Sequence, residues 1–103
     1  MIQLNADRSL NIHEGFSEKL KVLIWKELAR FTEHITRLEI HLSDENGDKA
    51  GPNDKKCLLE AHLGGHQPVV VVGVANSCDQ SVNGALDKMK ASLEKVLGRL
   101  KDH

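Results

Sequence analysis

The chain has 103 residues, 40% of them hydrophobic and 28% charged, enough for one domain that buries roughly 65% of the surface its unfolded form exposes and too little for two. That composition excludes general disorder, and only three aromatic residues, Phe16, Trp25 and Phe31, are present, so no platform of stacked rings is expected for single-stranded nucleic acid. With 14 Lys and Arg against 15 Asp and Glu the formal charge is −1, and any grip on a polyanion must come from local clustering of cations.

Ile2 to Ala6 alternates apolar and polar residues, which predicts a short strand with Ile2, Leu4 and Ala6 on one face. Asn11 and Glu14 stand at the spacing of a capping box. Phe16, Leu20, Leu23, Ile24, Leu28 and Phe31 then recur at three- and four-residue steps, predicting a helix from about 14 to 31. Glu27 falls near the apolar side of that helix, with Val22 and Trp25 on the other, so the helix is expected to meet more than one neighbour or to leave Trp25 partly exposed. From Ile35 to Ser43 the period is two, with Leu38, Ile40 and Leu42 facing one way and Arg37, Glu39 and His41 the other. Asp44 to Asp54, with Gly47, Gly51, Pro52 and two Asn, reads as a long polar connection. Lys56 to Leu63 alternates again, Gly64 and Gly65 turn the chain, and the Val-rich stretch from Gln67 to Ala75 returns as a hairpin partner. Val82, Leu86, Met89, Leu93, Val96 and Leu100 keep strict four- and three-residue steps, which predicts a helix from about 79 to 100.

The resulting order is β-α-β-β-β-α. Strands joined through a helix pair in parallel by a right-handed crossover, which predicts an α+β fold: a two-layer sandwich of a four-stranded mixed sheet with two helices on one face, one domain over 1–103. The longest apolar run, Val69 to Val72, is far short of the roughly 20 residues a membrane span needs, and the first residues lack the features of a signal peptide. A cytoplasmic protein without a membrane partner is expected. Cys57 and Cys78 stand 21 positions apart without a Cys-x-x-Cys unit and are expected to be buried, inert thiols.

Around the last helix Lys88, Lys95 and Arg99 fall within about 40° of each other, flanked by Ser81, Gly84 and Ser92, with Asp87 and Glu94 on the opposite flank. Lys19, Lys26 and Arg30 gather in the same way on the first helix. Six cations on two neighbouring helices can track a phosphate backbone; the plainer reading is two solvated flanks whose lysine stems cover apolar edges.

Other chemistry finds little support. Cys57, His62, His66 and Cys78 are of zinc-ligand type, but no two cysteines are closely spaced and His62 and Cys57 point to opposite faces of their strand. Asp44, Asn46 and Asp48 imitate the opening of a calcium loop, yet Lys49 replaces its glycine and Lys55 its bidentate acid. Alternation allows His41 and Glu60 to be cross-strand neighbours, a common exposed pairing. No nucleophile elbow, phosphate loop or dinucleotide fingerprint occurs, so neither an enzyme nor a cofactor or metal is expected. Leu58 and one alternate set of Val69 to Val72 and Val74 must face away from the helices, which makes a homodimer through the open sheet face the second reading.

The element order, the stretch Ile35-Thr-Arg-Leu-Glu-Ile-His-Leu-Ser-Asp-Glu-Asn-Gly47 and Gly84-Ala-Leu-Asp-Lys-Met89 together resemble the ribosome hibernation-promoting factor (HPF/RaiA, sigma-54 modulation protein) family over nearly the whole chain. His41 to Asn46, Gly51 to Ala61 and Gln67-Pro68 are similar to a short, divergent proteobacterial branch of ribosome-associated members. The resemblance implies a domain that sits in the decoding channel of the small ribosomal subunit, contacts its rRNA through basic residues and sterically blocks translation under stress, without catalysis. By position it assigns RNA contact to Arg8, Lys88 and Lys95; helix geometry adds Lys19, Lys26, Arg30 and Arg99. Long members carry a C-terminal domain that pairs ribosomes, and with the chain stopping at His103 no such domain is expected.

Overall fold

The period-two stretches form one sheet and the stretches of three- and four-residue steps lie across it. A computed structural model describes residues 2–6, 14–44 and 54–101. Its elements are β1 (Ile2–Ala6), α1 (Glu14–Glu27), a 3-10 helix (Ala29–His34), β2 (Ile35–Asp44), β3 (Lys55–Leu63), β4 (Val69–Ala75) and α2 (Cys78–Lys101). The strand order is β1-β2-β3-β4, with β1 parallel to β2 and the remaining pairs antiparallel. This is the α+β sandwich expected from the element order. Asn11 and most of the polar connection lie outside the described residues.

One face of the sheet is apolar because alternate residues carry it. Leu38, Ile40 and Leu42 of β2 stand opposite Ala61, Leu59 and Cys57 of β3. Together with Leu20, Ile24 and Leu28 of α1 and Val82, Leu86, Met89 and Leu93 of α2 they make one buried core, which places both helices on the same face. Alternation breaks once, between Ile35 and Arg37, where a bulge inserts Thr36. The Thr36 hydroxyl donates to the His62 carbonyl at 3.1 Å, and the extra residue lets Ile35 and Leu38 both point inward.

The first helix departs from its expected span. Its α-helical part ends at Glu27, and Phe31 N donates to the Leu28 carbonyl at 2.8 Å, the i to i+3 pattern of a 3-10 turn that runs straight into β2. Its buried stripe is also narrower than the periodicity suggests: Leu23 joins Val22 among the exposed hydrophobic residues, while Trp25 is half-buried as expected.

The second helix is held tightly. Ser77 Oγ accepts from the Gln80 N–H at 3.2 Å and caps its first turn. Gly73 of β4 lies buried beneath it, a position where no side chain fits. At the same end of the sheet Lys55 donates to Asp44 and Asp54 at 3.1 Å each, so an ammonium group sits where a calcium loop would need its closing carboxylate. Bonding to Asp54 first and Asp44 next raises the Lys55 pKa. The β3–β4 turn needs a left-handed residue, and Gly65 supplies it at φ 76°.

Candidate functional site

The helix layer carries most of the cations singled out by spacing. Lys19 and Lys26 on α1 are exposed and have no ion pair among the described residues, and the same holds for Lys95 on α2. Lys88 is exposed too, but its Nζ donates to the Val72 carbonyl at 2.7 Å, on the free edge of β4. Arg8 lies outside the described residues, as does the side chain of Arg99, whose backbone belongs to α2.

Arg30 behaves differently. A continuous α-helix would align it with Lys19 and Lys26, but it falls in the 3-10 turn, whose tighter winding of about 120° per residue carries it toward the side of Glu27. There it donates to Glu94 of α2 and stacks on Phe31, with 4.8 Å from its guanidinium carbon to the ring centroid. Lys90 of α2 donates to Glu27 at 3.0 Å. The seam between the helices is therefore a neutralised ladder of Glu27, Lys90, Arg30 and Glu94. On α2 the flank bearing Lys88 and Lys95 lies opposite the one bearing Lys90 and Glu94, so its cations overhang β4 and those of α1 stand beyond the seam. The structure brings the cations to one layer as two separate lines.

The open face of the sheet holds a second group that spacing alone did not assemble. The register sets Glu39 directly opposite Glu60, Arg37 opposite His62, and His41 opposite Leu58 rather than Glu60. His62 Nε2 lies 2.8 Å from Glu60 Oε2 and 3.1 Å from Glu39 Oε2. Arg37 donates to Gln3 Oε1 at 2.8 Å and to Glu39 Oε1 at 3.3 Å, and His41 Nε2 stands 3.9 Å from the same oxygen. Hydrogen bonding with Glu60, then with His62, and the Arg37 charge hold the Glu39 carboxyl below the usual carboxylate range. Beside this cluster Leu58 and Val72 are half-buried and Val70 and Val74 exposed, an aliphatic strip along the β4 side of the same face.

Both cysteines have raised pKa values: burial pushes Cys57 up to about 12, and burial is also the largest cause at Cys78. Thiols in this state are poor nucleophiles. Among the described residues no helix is long and apolar enough to cross a membrane.

A four-stranded mixed sheet with two helices on one face and cations displayed along those helices defines a two-layer α+β module. Residues 11–102 match the family described as Sigma 54 modulation protein / S30EA ribosomal protein, and the chain belongs to that family. No curated protein matches it in sequence. Among solved structures it resembles a ribosomal subunit interface protein from Coxiella burnetii, with TM-score 0.72 and 17% identity over 94% of this chain and 97% of that one. It also resembles the N-terminal domain of Thermus thermophilus Protein Y, with TM-score 0.66 and 18% identity over 91% and 94% of the two chains. At these identities the likeness shows the fold.

Proposed function

We propose that this protein is a cytoplasmic hibernation-type factor that binds the rRNA of the small ribosomal subunit and blocks translation sterically under stress, with no reaction catalysed. Its membership of the S30EA family supports this reading, as do the names of the two structural relatives. The observation that carries it on this chain is the exposure of Lys19, Lys26, Lys88 and Lys95 on a single helix layer, none of them bound to a carboxylate among the described residues. Such cations grip phosphates and fix orientation without reading sequence, and a folded wedge follows the shape of structured RNA. Arg8 and Arg99 are proposed as further RNA contacts, and Arg30 can add another by exchanging Glu94 for phosphate.

Co-sedimentation with purified small subunits tests the reading. Wild-type protein should pellet with them, and its affinity should fall roughly a hundredfold between about 50 and 200 mM salt if four phosphate contacts are made. Lys88→Glu with Lys95→Glu should abolish pelleting. Salt-insensitive binding, or none, overturns the proposal.

The aliphatic strip of Leu58, Val70, Val72 and Val74 favours a second reading, a homodimer through the open sheet face. It requires a concentration-dependent dimer in sedimentation equilibrium that Leu58→Asp dissociates; a wild-type monomer at high concentration removes it.

A further inference from the structure

We propose that the open sheet face carries a transition-metal site of the zinc class, with His62 Nε2, Glu60 and Glu39 as its three protein ligands. The register fixes the two carboxyl groups directly across from one another, a placement that they tolerate only with a shared proton or a cation between them. What lies between them is one ring nitrogen within hydrogen-bonding distance of both. That atom carries at most one proton and so donates to only one of the two oxygens. The three potential ligand atoms all lie within 4.8 Å of one another. An ion with metal–ligand bonds of about 2.0–2.1 Å spaces its ligands roughly 2.9–3.4 Å apart, so only small rotamer adjustments separate this arrangement from a coordination sphere.

The surroundings suit the role. Arg37, itself held by Gln3, binds Glu39 through Oε1 and leaves Oε2 turned to His62, the outer-shell arrangement that orients a ligating carboxylate. A metal bound to the ring lone pair displaces the proton between the carboxyls, and two carboxylates against one guanidinium then leave a net charge of one negative, which favours a divalent cation. The donor set of one imidazole and two carboxylates selects zinc and its neighbours over magnesium or calcium, which take oxygen ligands. All three ligands sit on paired strands, and the uncovered face leaves the remaining coordination positions to water, with His41 one step along β2. Neither histidine spacing nor cysteine pairing reveals this site, because its ligands come from two strands and meet only through the register.

The test uses the full chain without an affinity tag. Competition with a chromophoric chelator should show one equivalent of Zn2+ bound at micromolar concentration, and Co2+ should give a visible d–d spectrum that Zn2+ bleaches and millimolar Mg2+ does not. His62→Ala and Glu60→Gln should each weaken binding by about tenfold or more, while His66→Ala, in the exposed β3–β4 turn, should leave it unchanged. In wild-type protein one equivalent of Zn2+ should shift the His62 ring resonances in NMR and leave those of His66 and His34 in place, a readout that needs no variant to fold. No stoichiometric binding, displacement by Mg2+, or a His62 ring that does not respond overturns the proposal.

Discussion

Gly73 of β4 and Ser81 of α2 are in backbone contact: a Cβ at Gly73 would stand 2.2 Å from the Ser81 carbonyl oxygen and 2.6 Å from Ala85 N. Helix and strand therefore approach more closely than any side chain allows. That approach brings the Lys88 flank of α2 over the edge of β4 and sets how far its cations project from the sheet.

Gly73→Ala should be the most damaging alanine substitution among the described glycines. Both obstructing atoms are backbone, so α2 must move as a unit, and a loss of about 2–4 kcal/mol is expected from overpacking of this kind. Gly84→Ala is the control, since its nearest neighbour lies at 4.0 Å and alanine is the better helix former by up to about 1 kcal/mol. Urea denaturation followed by circular dichroism should place the two variants on opposite sides of the wild type.

Under the proposed function Lys88 has two roles where Lys95 has one. Its ammonium satisfies the Val72 carbonyl on an otherwise unpaired edge, which also blocks strand addition there. Lys88→Met should cost about 0.5–1.5 kcal/mol, and Lys95→Met should cost nothing measurable, while both weaken ribosome binding to a similar extent. Thermal unfolding and co-sedimentation of the two variants separate the roles.

The Arg30 and Glu94 pair can be tuned. Both side chains are more than half exposed, so the bridge is worth at most about 1 kcal/mol and Glu94→Gln should leave stability within that margin. The freed guanidinium adds one phosphate-binding cation. Affinity for small subunits should rise, and the slope of log affinity against log salt should steepen by on the order of one. An unchanged slope would show that Arg30 makes no phosphate contact.

What could be read from the chain before the structure follows from the range of the forces involved. Alternation at Leu38, Ile40 and Leu42 is a local pattern that only a half-buried strand satisfies, and it correctly named the faces of β2. The same pattern is blind to a shift of two residues along the partner strand, since such a shift keeps every side chain on its face. Whether Glu60 meets His41 or Glu39 was decided by long-range pairing, and with it the whole Glu39, Glu60 and His62 cluster. Arg30 leaves the line of Lys19 and Lys26 for a similar reason. A wheel drawn at one pitch cannot anticipate that β2 begins at Ile35 and that the preceding turn tightens to bury Phe31.

Cys57 sets an alkaline limit on stability. Its thiol is fully buried and pushed up to about 12 by the loss of hydration, whereas an unfolded thiol ionises near about 8.5. The folded chain thus holds this proton when the unfolded chain has released it. The contribution is complete below the unfolded value and is lost as pH rises from there through the folded value, at about 1.4 kcal/mol per pH unit across that window. Lys55, also raised, adds a loss of the same sign as pH rises through and beyond the ordinary lysine range. Denaturant midpoints measured across this range should fall steadily in wild type and much less in Cys57→Ala, which starts from a lower value because of the cavity it leaves. In native protein at neutral pH a disulfide exchange reagent should modify the half-buried Cys78 slowly, and Cys57 only on unfolding. Rapid modification of Cys57 with the fold intact would mean that the core beneath α2 opens far more often than its packing implies.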